Sequence, residues 1–153
     1  MDIYSDLLKQ HGLKVTIQRV AIMKYLMGTL SHPTADTIFN DLIRCNPSMS
    51  LATVYKTLDT LRNEGLILEL NTGEDSNRYD GNVRPHSHFR CLRCNSIIDI
   101  KLPQSHHEQI NKEVSITYNV DVLERKCFFF GYCQDCGGGN STQSLYNNNF
   151  KSH

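Results

Sequence analysis

An α+β chain in two parts is what this sequence predicts, on three observations. Apolar residues recur at helical spacing from Ile3 to Leu61, and one short hairpin pattern follows them, at residues 66–70 and 78–79. Beyond residues 81–85 the pattern changes to strands around a single helix. Two Cys-x-x-Cys pairs, Cys91 with Cys94 and Cys133 with Cys136, bracket that second part.

The elements read in order as follows. Ile3, Leu7 and Leu8, with Leu13 beyond, give a short opening helix that breaks at Gly12. Thr16 can cap a second helix over residues 17–27, whose Ile17, Val20, Ala21, Leu26 and Met27 keep the helical period. Thr34, after His32-Pro33, can cap a third helix carrying Ala35, Ile38, Phe39, Leu42 and Ile43, which Asn46-Pro47 ends. Ser50 can cap a fourth helix with Val54, Leu58 and Leu61, stopped by Gly65. The two short strands then flank a turn at residues 71–75. Helices followed by one small hairpin outline a winged helix. In the second part, residues 89–100 read as a hairpin around the first cysteine pair, 104–118 as a helix and 120–132 as a strand. Residues 137–153 are rich in Gly, Asn, Ser and Gln and are expected to be disordered.

Composition narrows the function classes. Sixteen basic and sixteen acidic residues give a formal net charge of zero, so any nucleic-acid contact must come from a local patch. The start, Met1-Asp2-Ile3-Tyr4-Ser5, lacks a basic segment followed by an apolar run, so no signal peptide is expected. No apolar stretch is long enough to span a membrane. A cytoplasmic, reducing setting follows as the expectation, and there paired thiols read as metal ligands before disulfides.

Two thiolates three positions apart on a tight turn can face one ion. Two such pairs complete a tetrahedral four-thiolate shell, which suits structural zinc and leaves no open position. A thioredoxin-like redox pair would need a strand–CxxC–helix context that neither pair shows. Cys45 and Cys127 lack partners in sequence and read as small buried hydrophobes. His86-Ser87-His88 stands directly before the first pair, and positions two apart on a strand share a face. His32, Asp80 and Asp99 could join these two imidazoles around iron, manganese or zinc. An HxH is also often just a polar strand face. His11, His106 and His107 are expected to be solvated.

Ser50-Leu51-Ala52-Thr53-Val54-Tyr55-Lys56-Thr57 puts small, polar, aromatic and basic groups on the first turns of a helix. That is how a recognition helix meets base edges in the major groove. Ser50, Thr53, Tyr55 and Lys56 could face DNA there, while Lys14, Gln18 and Arg19 could hold its backbone. An ordinary amphipathic helix with a charged face is the other reading. The hairpin that follows favours the winged helix.

Taken together these residues resemble the ferric uptake regulator (Fur) family, and within it the peroxide-responsive (PerR) branch. The matching pieces are Leu13-Lys14-Val15-Thr16 with Gln18-Arg19, His32-Pro33-Thr34-Ala35-Asp36, Ser50-Leu51-Ala52-Thr53-Val54-Tyr55, Arg78-Tyr79-Asp80, His86-Ser87-His88 and both cysteine pairs. The resemblance implies a winged-helix DNA-binding domain over residues 1–80, a hinge at 81–85, and an α/β dimerisation and metal-binding domain over 86–136. It implies one structural Zn2+ per chain at Cys91, Cys94, Cys133 and Cys136. It further implies a regulatory Fe2+ or Mn2+ at His32, Asp80, His86, His88 and Asp99. The implied partners are a second copy of the chain and a palindromic, A/T-rich duplex. The implied activity is metal-dependent repression, ended when peroxide oxidises His32 or His86 through bound iron. Aspartate at position 99 looks like the peroxide-sensing branch. A sensor of iron or manganese level alone is the nearer alternative, and a non-haem iron enzyme or a metal-storage protein the more distant ones. Pro85, Ser87 and Arg125 stand where the iron-uptake branch often has further metal-binding side chains, so that third site is expected to be absent. Asn95 replaces a usual glycine, and asparagine is among the residues that best tolerate a left-handed backbone.

Overall fold

The computed structural model describes residues 2–73 and 76–137, so Glu74, Asp75 and the expected disordered tail from 138 onward lie outside the described residues. The chain forms two compact units, Met1–Arg84 and Pro85–His153.

The first unit holds α1 (Ile3–Gln10), α2 (Ile17–Gly28), α3 (Ala35–Leu42), α4 (Leu51–Asn63), β1 (Leu68–Leu70) and β2 (Arg78–Asp80). Three helix starts are closed by the expected hydroxyls. Thr16, Thr34 and Ser50 accept the backbone N–H of Arg19, Thr37 and Thr53, each worth about 1 kcal/mol. At the far end of α4, Gly65 takes φ +68, and the Leu66 N–H returns to the Leu61 carbonyl. That reversal turns the chain into β1 and needs a residue free of Cβ strain. Leu8, Ile22, Met23, Leu26, Ile38, Val54, Leu58 and Leu61 are at most 1% exposed and make one core under the helices. Full burial of such a side chain stabilises by roughly 1.5–3 kcal/mol.

The hairpin pairs antiparallel, Leu68 with Asp80, Glu69 with Tyr79 and Leu70 with Arg78. The outer edge of β2 is held as well. The Tyr79 N–H donates to the Pro33 carbonyl, and Thr34 bridges to Arg78. β2 is therefore fixed between β1 and the turn that leads into α3. This is the winged-helix outline read from the sequence.

The second unit carries β3 (Ser87–Cys91), β4 (Ile97–Ile100), α5 (Gln104–Tyr118), β5 (Phe128–Gly131) and a short 3-10 turn, Gln134–Cys136. β3 is central, antiparallel to β4 and parallel to β5. The strand expected over 120–132 is a correction, because only Phe128–Gly131 is strand. Asn119, at φ 53, ends α5, and β3 offers five residues to pair with, so a longer strand would have no ladder. Two other expectations also change. His107 is buried (8% exposed) rather than solvated, and Cys45 is exposed rather than buried. Cys127 is half-buried, while His11 and His106 are exposed as expected. Among the described residues no helix is long and apolar enough to cross a membrane.

Candidate functional site

The four cysteines converge within the second unit. Cys91 ends β3, and Cys94 lies on the turn toward β4. Cys133 follows β5, and Cys136 ends the short 3-10 turn. Their sulfurs all lie within 4.8 Å of one another, and Cys94 Sγ is 3.7 Å from Cys133 Sγ. A tetrahedral zinc with Zn–S bonds of about 2.3 Å places its sulfurs about 3.8 Å apart. The cage thus fits zinc in donor type, number and spacing. Asn95 takes φ 59, the left-handed backbone expected of it, and the Asn95 N–H closes the turn on the Cys91 carbonyl at 3.0 Å.

The thiols are not equivalent. Backbone N–H groups of Cys94 and Cys133 stabilise the Cys91 thiolate against the cost of burial and pull its pKa down to about 6. Ser96 lowers that of Cys94. Cys136 is pushed up to about 12, chiefly by its hydrogen bond with Cys133 and then by burial. Before a cation binds, the site favours thiolate at Cys91 and a protonated thiol at Cys136.

A second set of donors occurs as two groups, one in each unit. In the first unit His32 and Asp80 are buried, with His32 Nε2 3.5 Å from Asp80 Oδ2. His32 takes φ 49, a left-handed conformation that costs a non-glycine residue about 1–3 kcal/mol. The ties of the Pro33 carbonyl and Thr34 to β2 hold it there. The other Asp80 oxygen accepts the Asn82 N–H at 2.7 Å, which orients the carboxylate. In the second unit His86 precedes β3, His88 lies in it, and Asp99 faces His88 from β4. Asp99 Oδ1 is 3.4 Å from His86 Nε2 and 3.7 Å from His88 Nε2, and the two imidazoles meet edge-on at 4.4 Å. Ligands bonded at about 2.1 Å stand roughly 3.0–3.4 Å apart in octahedral or tetrahedral shells. At 3.4–3.7 Å the separations lie at or slightly beyond that range, and each group has the composition of part of a nitrogen–oxygen shell suited to iron, manganese or zinc.

α4 presents the expected residues on its first two turns. Val54, Thr57, Leu58 and Leu61 face the core, which leaves Tyr55 and Lys56 exposed. Ser50 and Thr53 engage one another through their hydroxyls at 2.8 Å and serve the helix cap. The Tyr55 hydroxyl donates to Asp36 Oδ2 at 3.4 Å; burial and then the Asp36 charge raise its pKa, so it stays a neutral donor. Lys14 is exposed, Gln18 reaches Ser48, and the Arg19 guanidinium donates to the Lys14 carbonyl at 2.8 Å. Sequence reasoning missed the Arg62–Glu69 pair between α4 and β1. It spans a helix-to-strand corner, where neither helical nor strand period applies.

The sequence model of the ferric uptake regulator family matches residues 10–128. The chain belongs to this family. Its members are transcriptional regulators, so this family protein is not an enzyme. It is 37% identical over 130 residues to the peroxide-responsive repressor PerR of Staphylococcus epidermidis, covering 84% of this chain and 85% of that one. The Campylobacter jejuni peroxide stress regulator superposes with a TM-score of 0.71 at 30% identity, over 89% of this chain and 100% of the other. The Helicobacter pylori ferric uptake regulator, described as having three functional metal-binding sites, superposes with a TM-score of 0.72 at 26% identity, over 89% and 90%.

Proposed function

We propose that this chain is a cytoplasmic, homodimeric, metal-dependent repressor that binds duplex DNA and releases it on exposure to peroxide. The observation that carries the proposal is the presence, in one chain, of two different metal chemistries. One is the closed four-thiolate cage; the other is the imidazole and carboxylate set of His32, Asp80, His86, His88 and Asp99. The cage is structural, since a fourth sulfur leaves no position for a reactant. The second set is regulatory, and all five residues ligate one Fe2+ or Mn2+. Because the five come from both units, one ion ties the units into one state. Metal that binds this state better shifts the population toward it.

The DNA partner is a palindromic, A/T-rich duplex, read by Tyr55 and Lys56 from α4 with Ser50 and Thr53 at its start. Lys14, Gln18 and Arg19 hold phosphates. A homodimer places two reading helices on half-sites about one helical turn apart. Ile110, Val114, Leu123, Phe129, Phe130 and Tyr132 support dimerisation through the second unit, since all are more than a third exposed there. Ferrous iron held by the regulatory residues would supply the reducing equivalents for cleaving peroxide. Among the ligating histidines the resemblance points to His32 and His86 as the residues that would take up oxygen, and that change would weaken them as ligands. The peroxide-responsive names of the relatives support this choice of signal.

The test is a titration of DNA binding with manganese and with ferrous iron, on a duplex selected by the protein from a random pool. Affinity is expected to rise with either metal. DNA binding indifferent to both would refute the proposal.

A further inference from the structure

Glu69 gathers contacts from three directions in the first unit. It lies in β1 opposite Tyr79 of β2. Its Oε2 receives the Arg62 guanidinium from the last turn of α4. Its Oε1 accepts the Asn77 side-chain amide, at the entry to β2, at 2.7 Å. Burial alone would raise the Glu69 carboxyl pKa, but the hydrogen bonds from Arg62 and Asn77 and the Arg62 charge outweigh it and hold it below the usual range. Arg62 is braced in turn by Asp59 and Asn63, each at 3.3 Å. The carboxylate is thus a charged joint between the reading helix and both hairpin strands.

The strand on the far side of this joint is the one that ends in Asp80. β2 is gripped along its other edge by the turn that carries His32. The Tyr79 N–H donates to Pro33, Thr34 bridges to Arg78, and Arg78 Nη1 donates to the His32 carbonyl at 3.4 Å. An unbroken series of short contacts therefore runs from the His32–Asp80 pair through β2 to Glu69, then through Arg62 into α4. The hairpin connection itself carries Glu74 and Asp75, the wrong sign for gripping phosphate. A salt-bridged joint is better explained by holding β2 to α4 than by pressing that connection onto DNA.

We propose that Glu69 is a positioning residue that couples the metal-binding end of β2 to the DNA-reading helix, so that part of the allosteric signal travels inside the first unit. The inference rests on the metal-dependent DNA binding proposed above. Loss of the joint leaves the metal donors and the reading face intact and weakens only the coupling between them.

The experiment measures that coupling with full-length, zinc-containing protein and the selected duplex. The coupling factor is the ratio of DNA affinities with and without Mn2+, and such factors commonly lie at about 5–150-fold. Glu69→Gln is expected to lower it at least about fivefold. Mn2+ affinity without DNA, read by electron paramagnetic resonance, and metal-free DNA affinity should both stay within about twofold of the unsubstituted protein. By linkage, the tightening of Mn2+ by DNA must fall by the same factor. Arg62→Gln should give the same loss and the double variant no more, as for two residues acting as one. An unchanged coupling factor would overturn the proposal, as would an equal loss of DNA affinity with and without metal. Should Glu69→Gln not fold, Asn77→Ala changes an exposed member of the same joint. Its coupling factor must fall in the same direction, and no change there overturns the proposal. If the unsubstituted protein binds DNA without regard to Mn2+, the function proposed above fails first and this inference with it.

Discussion

Cys94→Ser is expected to unfold the second unit. The reason lies in how little that unit buries. Among the described residues its only buried apolar side chains are Cys91 and Ile97, whereas the first unit buries an extended cluster of Leu, Ile, Met and Val. A buried Ile contributes roughly 1.5–3 kcal/mol. A structural zinc site contributes about 10–16 kcal/mol in small zinc domains near neutral pH. The ion thus outweighs the apolar core of this unit several-fold. Cys94 Sγ stands 3.7 Å from Cys133 Sγ across the cage, and a hydroxyl in its place cannot supply the fourth thiolate. The assay is zinc content by metal analysis, with far-UV circular dichroism and sedimentation for fold and assembly. Unsubstituted protein should hold about one zinc per chain. The variant should lose the ion, the dimer and the strand signal together. A zinc-free Cys94→Ser protein that stays folded and dimeric would refute the reasoning.

Four further outcomes are expected. Lys14→Ala should flatten the salt dependence of DNA affinity by about 0.9 in log–log slope for each phosphate that the variant no longer neutralises, read by fluorescence anisotropy across salt concentrations; an unchanged slope removes Lys14 from the interface. Gly81→Ala should destabilise the first unit by about 1–3 kcal/mol and lower its thermal midpoint. An added Cβ there would lie 2.8 Å from the Leu26 carbonyl carbon and oxygen and 2.9 Å from the Met27 nitrogen, backbone atoms that cannot yield; an unaltered midpoint contradicts this. Zinc retention should fail only toward acid pH, below the value of about 6 that Cys91 has without the ion, because protons must displace the bound cation. Metal and proton compete for the same sulfurs, so every thiol that must give up a proton weakens affinity for the cation as pH falls. Zinc uptake at neutral pH should release the proton held at Cys136, whose value is raised. Zinc content that stays flat across the acid range, or uptake without proton release, would count against this assignment.

Much of the first unit was legible because its helices carry their own punctuation. Thr16, Thr34 and Ser50 stand three residues before the N–H groups they accept, and Gly65 stands at the reversal. The cysteine cage was legible because its spacing is local on each side. What stayed hidden depends on residues far apart in sequence. The parallel pairing of β3 with β5 joins His88 to Phe128, and no local period announces it. Val120 and Val122 have strand propensity, yet propensity without a neighbouring ladder makes no strand. His107 reads as one more polar residue on a mixed helix, and its burial follows from packing alone. The left-handed backbone of His32 is imposed by contacts to β2 that no motif spells out. The joint at Glu69 was missed on the same ground.

The central claim is that peroxide acts through iron on the ligating histidines, and mass spectrometry after brief peroxide exposure tests it most directly. With ferrous iron bound, peptides containing His32 or His86 are expected to gain one oxygen, in step with loss of DNA binding. With manganese bound, the gain should be small and DNA binding should persist. The zinc-held thiolates should react more slowly, because all four face a redox-inert ion. Oxidation first at Cys91, Cys94, Cys133 or Cys136, with both histidines unmodified as DNA binding is lost, would contradict the account and make this protein a thiol switch.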